Sequence, residues 1–518
     1  MAFQDNIGSL KEKPVHVEQA SHDGYDNEDG AVLAIIDSGV ETDLKLASDG
    51  HTVLQPQPSD DPNDPLNWSW GKKHSLLAVL VLGSFSCDFS AASQATVVLQ
   101  GQEWHMNPND VNRASSLNVL MIGLGGLIWM PVCRFWGRGP VLFWTSLFGF
   151  GFVLGATISQ NFTTFYAMRG LMSTFQSSFL SVGLFVITDI FYFHEHARKI
   201  GFWVVAILSA PWVDPVLSNL ILYYTQQWRL VWWMVLAVAA LTVVLAFLLR
   251  DETYYDRRIP IERQPSRGTR ISRVLGIWQL RNRAYFPSVW PSIWRLFEIA
   301  LKPLVIAAFF YYFLAYIWFI GTGISAPVLL QTPREAGGYG FSNKGVALIS
   351  IAPFCGVALG ETIGHFFNDW LATRYIKQHQ GKFVPEARLV TNYVATALMV
   401  PGLVVLGQVL QKHLHWIGIV FGWGMYTCGA CMVSVALFAY MADSYPNATG
   451  EISAILNLSR CIGGFAIAYF ELPWGLKSGY DVSFGVESAI VASSVILLLI
   501  FQKCGQRLRE CGGSVGSL

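Results

Sequence analysis

Long apolar stretches, separated by short polar connections, fill most of the chain between residues 74 and 502. Each stretch is roughly 18–25 residues long, which is the length of helix that crosses the ~30 Å hydrocarbon core of a bilayer. The predicted spans, six before and six after a long polar segment, are residues 74–96, 114–132, 141–159, 166–190, 199–223, 229–249, 303–329, 344–366, 389–410, 416–440, 450–471 and 483–502. Because a backbone in lipid must pair its polar groups internally, the pattern predicts an all-α membrane protein with twelve transmembrane helices in two six-helix bundles.

The composition agrees with this interpretation. Of the 518 residues, 53% are hydrophobic and only 14% are charged, whereas soluble domains carry about 25% charged residues. An ordinary soluble protein is therefore excluded. The net charge is zero, but acidic residues are concentrated near the N terminus and basic residues in the middle of the chain.

The polar segments divide the chain into five predicted parts. The first, residues 1–70, is acidic and has few aromatic residues and no helical periodicity, which is typical of a disordered tail. The others are an N-terminal bundle over 71–250, a basic linker over 251–302, a C-terminal bundle over 303–502 and a second tail over 503–518.

Arginine and lysine residues mark one side of the predicted membrane protein. With an even number of spans, both termini lie on the same side as the connections after spans 2, 4, 6 and 8. These connections hold the basic residues Arg134, Arg138, Arg198, Lys199, Arg257, Arg258, Arg374, Lys377 and Arg388, among others. Since positively charged loops stay in the cytoplasm, we expect a multi-pass protein of the plasma membrane with both termini and both tails cytoplasmic.

One motif for covalent modification falls on the opposite side. The sequence Asn161-Phe162-Thr163, in the connection after predicted span 3, matches an N-glycosylation acceptor. This connection is short and close to the membrane, so an unmodified Asn161 is an equally good alternative.

Small residues and cysteines favour helix packing over metal binding. The eight cysteines lie mostly within apolar stretches, which argues against a disulfide framework. Cys428 and Cys431 form a C-x-x-C pair without a second pair at zinc spacing, so we expect a helix interface and no metal. Gly123 and Gly422 likewise predict close helix crossings.

Several short motifs follow one another in a fixed order over residues 62–502. They read D-P-L-N-W at 64–68, G-R-G-P at 137–140, R-G-L at 169–171, W-R-L-V-W-W at 228–233, E-T-Y at 252–254, P-E-A-R-L at 385–389 and P-W at 473–474. In this order they resemble the major facilitator superfamily, and most closely its twelve-span drug:proton antiporters of fungi. The resemblance implies two bundles that alternate access around a central cavity.

The chain departs from the family pattern in the connection between spans 2 and 3. Gly137 and Arg138 are kept, but the aspartate that the family carries in this loop is Arg134 here. The resemblance assigns gating to this loop, so Gly137, Arg138 and Arg134 are gating candidates. Asp189, at the inner end of span 4, is the fourth, because it could pair with Arg138 or Arg134.

Ionisable residues at membrane depth are the candidates for proton coupling, because their burial is costly. Asp88 lies in the middle of span 1, where the lack of water favours a protonated carboxyl; pairing with a neighbouring helix or opening to an outer vestibule are alternatives. Asp214 lies between Pro211 and Pro215, and could instead cap local backbone. Arg169 matches a family position linked to proton movement, and we expect Asp88 or Asp214 to be its partner.

Aromatic and polar residues within the spans are candidates for a substrate pocket. They are Trp212, Asn219, Tyr311, Tyr312, Tyr316, Glu361, Tyr426, Asn457 and Arg460. Aromatic rings suit a large apolar or aromatic ligand, although packing at the membrane interface would explain many of them. Arg460 could equally fix a helix interface.

Glu361 and His365 are four residues apart on one helix face. Two ligands are too few to indicate a metal site. A proton relay and a purely structural pair therefore remain as alternatives.

These observations favour a proton-coupled transporter that exports a small organic molecule, such as a drug, toxin or secondary metabolite. The alternative is a proton symporter that imports a nutrient or organic cation; a non-transporting sensor on the same fold is a third. No nucleotide-binding G-x-x-x-x-G-K-[ST] loop occurs, so ATP is excluded as the energy source. We expect no enzyme activity, no cofactor and no nucleic acid, with protons, the substrate and the bilayer as partners of a functional monomer.

Overall fold

The computed structural model describes Lys45, Leu54 and residues 56–334, 338–379, 384–445 and 448–513. Most of the predicted acidic tail therefore lies outside the described residues. Within them, the regular secondary structure is helical. The prediction of an all-α fold is confirmed.

The helices follow one another in two sets of six spans. In the first set, span 1 is Trp70–Ala91 with Val97–Trp104, span 2 is Pro108–Trp136, span 3 is Arg138–Thr157, span 4 is Phe162–Gln176 with Ser178–Ile190, span 5 is Phe193–Thr225 and span 6 is Trp228–Leu249. In the second set, span 7 is Pro303–Gln331, span 8 is Asn343–Ile349 with Ile351–Gln378, span 9 is Val390–Lys412, span 10 is Ile417–Ser444, span 11 is Thr449–Ser478 and span 12 is Tyr480–Ser493 with Val495–Gly512.

Shorter helices connect these spans. They are Arg270–Leu275, Ile277–Arg281 and Val289–Ala300 in the linker, and the 3-10 turns Pro65–Asn67, Ile261–Arg263, Arg283–Tyr285 and Pro385–Leu389. We call the end of the bundle that holds the linker the linker side, and the opposite end the far side.

Helix length and apolarity support the membrane assignment. In the described part of the chain, eleven helices are long and apolar enough to cross a bilayer, and span 11 makes a twelfth if its two segments, bent by 45° after Ile467, are taken together. The chain is therefore a multi-pass membrane protein. Span 1 differs from its prediction, because its first helix ends at Ala91 and a second helix begins at Val97.

The two sets form an N-half (spans 1–6) and a C-half (spans 7–12), which meet where span 2 packs on span 11 and span 5 packs on span 8. Gly123 of span 2 faces Leu458 and Cys461 of span 11, and a side chain at this glycine would collide with both. Gly422 lies equally close to span 9. The predicted close crossings at both glycines are confirmed.

Ordered structure begins before the predicted end of the acidic tail. The buried carboxylate of Asp64 accepts hydrogen bonds from Arg257 Nη2 at 2.8 Å and from the backbone N–H of Leu66 at 3.0 Å. Burial alone would raise the pKa of Asp64, but these bonds and the charge of Arg257 hold the pKa below its ordinary value. Residues 56–69 thus pack on the linker, and a disordered segment ending at residue 70 was too long a prediction.

The linker itself binds mainly to the N-half. Arg273 forms an ion pair with Asp251, at 2.7 Å, directly after span 6. The indole of Trp144 in span 3 donates to the carbonyl of Leu275 at 3.1 Å. The guanidinium of Arg283 lies 3.6 Å from the ring centre of Phe135 at the end of span 2. The part of the linker before helix Val289–Ala300 is therefore a structural part of the N-half.

Glu252 joins three elements on the linker side. Its buried carboxylate accepts the backbone N–H groups of Arg138 at 3.0 Å and Gly139 at 3.1 Å, which begin span 3. It also accepts from Gln279 Nε2 at 2.7 Å. A negative charge at a helix N-terminus is favourable, and Gly137 leaves room for it with a φ of 86°.

We expect Glu252→Gln to lower the free energy of unfolding by about 2 kcal/mol. The charged carboxylate accepts hydrogen bonds from several N–H groups through both oxygens, whereas the glutamine amide is neutral and can accept through only one. Thermal unfolding of the purified chain, followed by tryptophan fluorescence, measures the effect. Glu262→Gln, at an exposed linker position, is the matched control. Equal unfolding temperatures for both variants would contradict the assigned role of Glu252.

Candidate functional site

The break in span 1 exposes backbone groups in the interior of the N-half. The helix Trp70–Ala91 ends there, and its last carbonyl groups have no partner within the helix. The carbonyl of Ala91 accepts from Arg169 Nη2 at 2.9 Å and from Asn118 Nδ2 at 3.1 Å. A broken helix at membrane depth is tolerated when protein groups satisfy it in this way, and a cation is favoured at a helix C-terminus.

Arg169 is fully buried in this region. Besides the carbonyl of Ala91, its guanidinium contacts Ser115 Oγ at 3.2 Å and lies 5.3 Å from the ring centre of Trp232. Asp214 is the acidic group that acts on it electrostatically. The sequence prediction of Asp214 as a partner of Arg169 therefore holds for the electrostatic interaction, although the two side chains form no direct ion pair.

Asp214 binds the break in span 1 from the other side. Its Oδ1 accepts hydrogen bonds from Ser93 at 2.9 Å and from Ser218 at 3.0 Å, and its Oδ2 has no hydrogen-bond partner in the structure. Ser93 lies within the break itself. Asp214 therefore contacts span 1 as well as its own helix. Capping of local backbone, the alternative role, would have involved its own helix alone.

Asp88 and Arg460 meet across the two halves. Asp88 Oδ2 in span 1 lies 4.0 Å from Arg460 Nη2 in span 11, and the two side chains are only 8% and 13% exposed. Arg460 Nε donates to Asn457 Oδ1 at 2.7 Å. Of the two predicted partners of Arg169, Asp88 thus lies next to Arg460 of the opposite half instead, which agrees with the alternative that it pairs with a neighbouring helix.

An aromatic cluster lies near this pair. The rings of Tyr312 and Tyr316 are 4.8 Å apart, and Tyr316 is 4.6 Å from Phe319. Trp212 of the N-half meets Phe319 at 5.3 Å and Trp423 at 5.4 Å, both edge to face. These rings form an apolar and aromatic surface where the two halves meet.

Three other pocket candidates lie elsewhere. Tyr311 points into the C-half, where its ring lies 5.9 Å from that of Phe501. The hydroxyl of Tyr426 donates to the carbonyl of Ala315 at 3.3 Å, also within the C-half. Glu361 has a buried Oε2 without a hydrogen-bond partner in the described structure.

The predicted pair of Glu361 and His365 does not form. The exposed His365 Nε2 lies 3.5 Å from Asp369 Oδ2, one turn further along span 8. His365 therefore contacts Asp369 in place of Glu361. Among the described residues, no group of three or more His, Cys, Asp or Glu side chains could hold a metal ion.

Contacts between the halves close the far side. The side chain of Asn219 in span 5 accepts from Gln331 Nε2 in span 7 at 3.0 Å. Asn112 Nδ2 in span 2 donates to the carbonyl of Ile324 in span 7, also at 3.0 Å. The substrate-pocket candidate Asn219 therefore belongs to the far-side contact between the halves.

Contacts between the halves also close the linker side. Arg134 at the end of span 2 forms an ion pair with Glu451 at the start of span 11. Arg295 of the linker binds the same carboxylate at 3.1 Å. Arg138 pairs with Asp189 at 3.1 Å within the N-half. Of the two predicted partners of Asp189, the structure thus selects Arg138, while Arg134 joins the two halves.

Sequence analysis missed several members of this site. Ser93 and Asn118 carry no signal of their own, because their role follows from the break in span 1. Outside this site, sequence analysis also missed Glu487, which lies inside predicted span 12, and Glu471, the last residue of predicted span 11. The argument that selected Asp88, an ionisable group at membrane depth, would have found Glu487 as well.

The comparisons with known proteins agree on the family. A sequence model of the Major Facilitator Superfamily matches residues 80–468. The efflux pump radE of Floropilus chiversii is 24% identical over 87% of this chain and 84% of its own length. The citrinin biosynthesis cluster MFS transporter mrr1 of Monascus ruber is 23% identical over 90% of this chain and 95% of its own.

A solved structure shares the fold. The proton:xylose symporter XylE covers 84% of this chain and 96% of its own with a TM-score of 0.61 and 14% sequence identity, a likeness that concerns the fold alone. The family match spans three quarters of the sequence and agrees with the two six-span halves. The chain therefore belongs to the Major Facilitator Superfamily and is a membrane transporter, not an enzyme.

Proposed function

We propose that this transporter exports a small organic molecule in exchange for protons by alternating access. The observation that carries the proposal is the buried pair of Asp88 and Arg460, whose charged groups are 4.0 Å apart across the two halves. A proton on Asp88 removes its attraction to Arg460, so protonation changes how strongly the halves hold together. This is the property that proton coupling requires.

The break in span 1 supplies a mechanical connection between the acidic groups. Asp88 lies three residues before Ala91, whose carbonyl binds Arg169. Ser93, two residues after Ala91, binds Asp214. A displacement of this short segment would therefore move Asp88 together with the partners of Arg169 and Asp214. We infer that protonation and rearrangement of the N-half are linked through the break.

The aromatic surface between the halves favours an apolar or aromatic substrate. Trp212 and Trp423 come from opposite halves and meet edge to face, so a flat ligand could insert only when the halves separate. The radE relative carries the name of an efflux pump, and the mrr1 relative is named for a biosynthesis cluster. Both names favour export of an organic molecule.

The test is the accumulation of a diverse set of compounds in cells that express the chain, with and without a protonophore. Lower accumulation that the protonophore abolishes supports proton-coupled export. Higher accumulation with the same sensitivity would instead favour import by proton symport. If expression of the chain changes the accumulation of none of the compounds, with or without the protonophore, the result would count against transport coupled to protons.

We also propose that the linker side faces the cytoplasm of a plasma-membrane protein, because the basic connections lie there. Asn161 is then outside, where it is exposed and caps the start of span 4 with a hydrogen bond from the backbone N–H of Thr164 at 2.8 Å. We expect Asn161→Gln to remove a glycan-sized shift in electrophoretic mobility. Asn67→Gln, in the sequon Asn67-Trp68-Ser69 on the linker side, is the control. A shift that persists without Asn161 would contradict this orientation.

A further inference from the structure

Two acidic side chains lie inside the C-half, apart from the groups used above. Glu471 of span 11 and Glu487 of span 12 are 3% and 0% exposed. Each lies seven residues from the far-side end of its helix, Ser478 and Tyr480 respectively. At 1.5 Å per residue, both carboxyl groups are about 10 Å below that end.

The two carboxyl groups have few partners. Glu471 Oε2 accepts from Ser325 Oγ of span 7 at 2.7 Å and occupies space that Gly321 leaves open. Both oxygens of Glu487 are buried without a hydrogen-bond partner in the described structure. The charge that acts on Glu487 is that of Glu471. Two carboxylates that act on each other without a counter-ion, in a medium without water, are strongly disfavoured.

The surroundings offer no positive charge to compensate. Among the described residues, the titratable neighbours are the phenols of Tyr426 on span 10, near both carboxyl groups, and Tyr480 at the start of span 12, near Glu471. Span 7 contributes Ser325 and span 9 contributes apolar side chains such as Leu406. No basic side chain of the described residues acts on either glutamate.

A cavity of about 30 Å³ adjoins Glu471. Its lining includes Thr322, Ser325, Trp423, Tyr480 and Phe484. The volume is enough for a water molecule, which could carry a proton to the carboxyl group. The few side-chain oxygen atoms around it do not supply the six to eight ligands of calcium or the octahedral shell of magnesium.

We propose that Glu471 and Glu487 form a proton-binding site in the C-half, in which the two carboxyl groups hold protons in place of a counter-ion. The site lies near the far side, separate from Asp88 and Asp214 of the N-half. It would give the transporter an exchangeable proton in each half. Opening of the far side would be the step that brings water to it.

The first test is the pH dependence of thermal unfolding of the full chain. If the folded state holds protons that the unfolded state releases, stability is present at acid pH and is lost as the pH rises. We expect Glu471→Gln/Glu487→Gln, which keeps both sites neutral, to be more stable than the unmodified chain at alkaline pH and to show a shallower pH slope. Glu298→Gln, at an exposed linker position, should keep the original slope.

Infrared spectroscopy provides a second readout that does not depend on the double variant. Each single variant, Glu471→Gln or Glu487→Gln, should lower the carbonyl band of protonated carboxylic acids at neutral pH relative to Glu298→Gln. An unchanged band and slope would overturn the proposal. So would stabilisation of the unmodified chain by sodium chloride but not by choline chloride, which would indicate a bound cation. Neither readout uses a transported substrate, so a negative result for this proton-binding site can be distinguished from a failure of the proposed export.

Discussion

Replacing Arg134 by aspartate should slow transport by at least about tenfold. Arg134 and Glu451 are 14% and 3% exposed, so the substitution removes one of the two basic partners of a buried charge, leaving Arg295, and sets a like charge against it. Breaking a buried ion pair costs about 3–5 kcal/mol. The state in which the linker side is closed would then lose about a hundredfold or more in population, since 1.4 kcal/mol is a factor of ten.

A charge exchange tests this explanation. In Arg134→Asp/Glu451→Arg, the acidic and basic groups trade places between the halves, and the new acid can also bind Arg295. We expect this double variant to recover a large part of the transport rate. Arg113→Asp changes the same charge at an exposed far-side pair with Asp110 and should have little effect.

The measurement is the initial rate of efflux of a compound found in the accumulation assay. Its companion is the labelling rate of a cysteine introduced next to the linker-side contact, which reports opening of that side. Faster transport by Arg134→Asp, or no recovery by the double variant, would contradict a closing role for the contact between Arg134 and Glu451. Arg134 would then not take over the gating role of the aspartate that the family carries in this loop.

Replacing Asp88 by asparagine should abolish transport driven by a pH gradient while exchange of substrate for substrate continues. The amide is nearly the same size as a protonated carboxyl group and carries no charge, so it mimics one of the two states permanently. Arg460 then keeps its bond to Asn457 but loses its charged partner at every pH. The halves can still rearrange, but the proton no longer influences which arrangement is favoured.

Reconstituted vesicles separate the two activities. Uptake is measured once with an imposed pH gradient and once with unlabelled substrate on the opposite side. Asp110→Asn, at a partly exposed far-side position, is the control and should retain both. A normal response of Asp88→Asn to the pH gradient would remove Asp88 from proton coupling and direct attention to Asp214.

The sequence was sufficient for the elements that depend on local pattern. Apolar length gave the spans, and charge at membrane depth selected Asp88, Asp214 and Arg169, which all lie around the break in span 1. Their partners were not predictable, because pairing depends on how each helix is rotated and how the halves dock. Arg460 is 372 residues from Asp88, and no local signal relates them.

The break itself was also missed, for a related reason. Residues 92–96 read Ala-Ser-Gln-Ala-Thr and are more polar than the helix before them, but so short a polar stretch does not show by itself that a helix ends. What permits the break is the set of donors on other spans, above all Arg169 and Asn118, that satisfy the freed carbonyl of Ala91. Glu487, in contrast, needed only the argument from charge at membrane depth, whereas Glu471 stood at the end of its predicted span, 450–471.

The docking of the linker decides how the protein can be divided. Because Glu252 and the segment up to Arg283 are bonded to spans 2 and 3, a pair of co-expressed fragments cut at residue 250 would strip the first fragment of the acid that caps span 3. A cut near residue 287, ahead of helix Val289–Ala300, leaves those bonds within one piece. Studies that assemble the transporter from separate halves should therefore place the junction late in the linker.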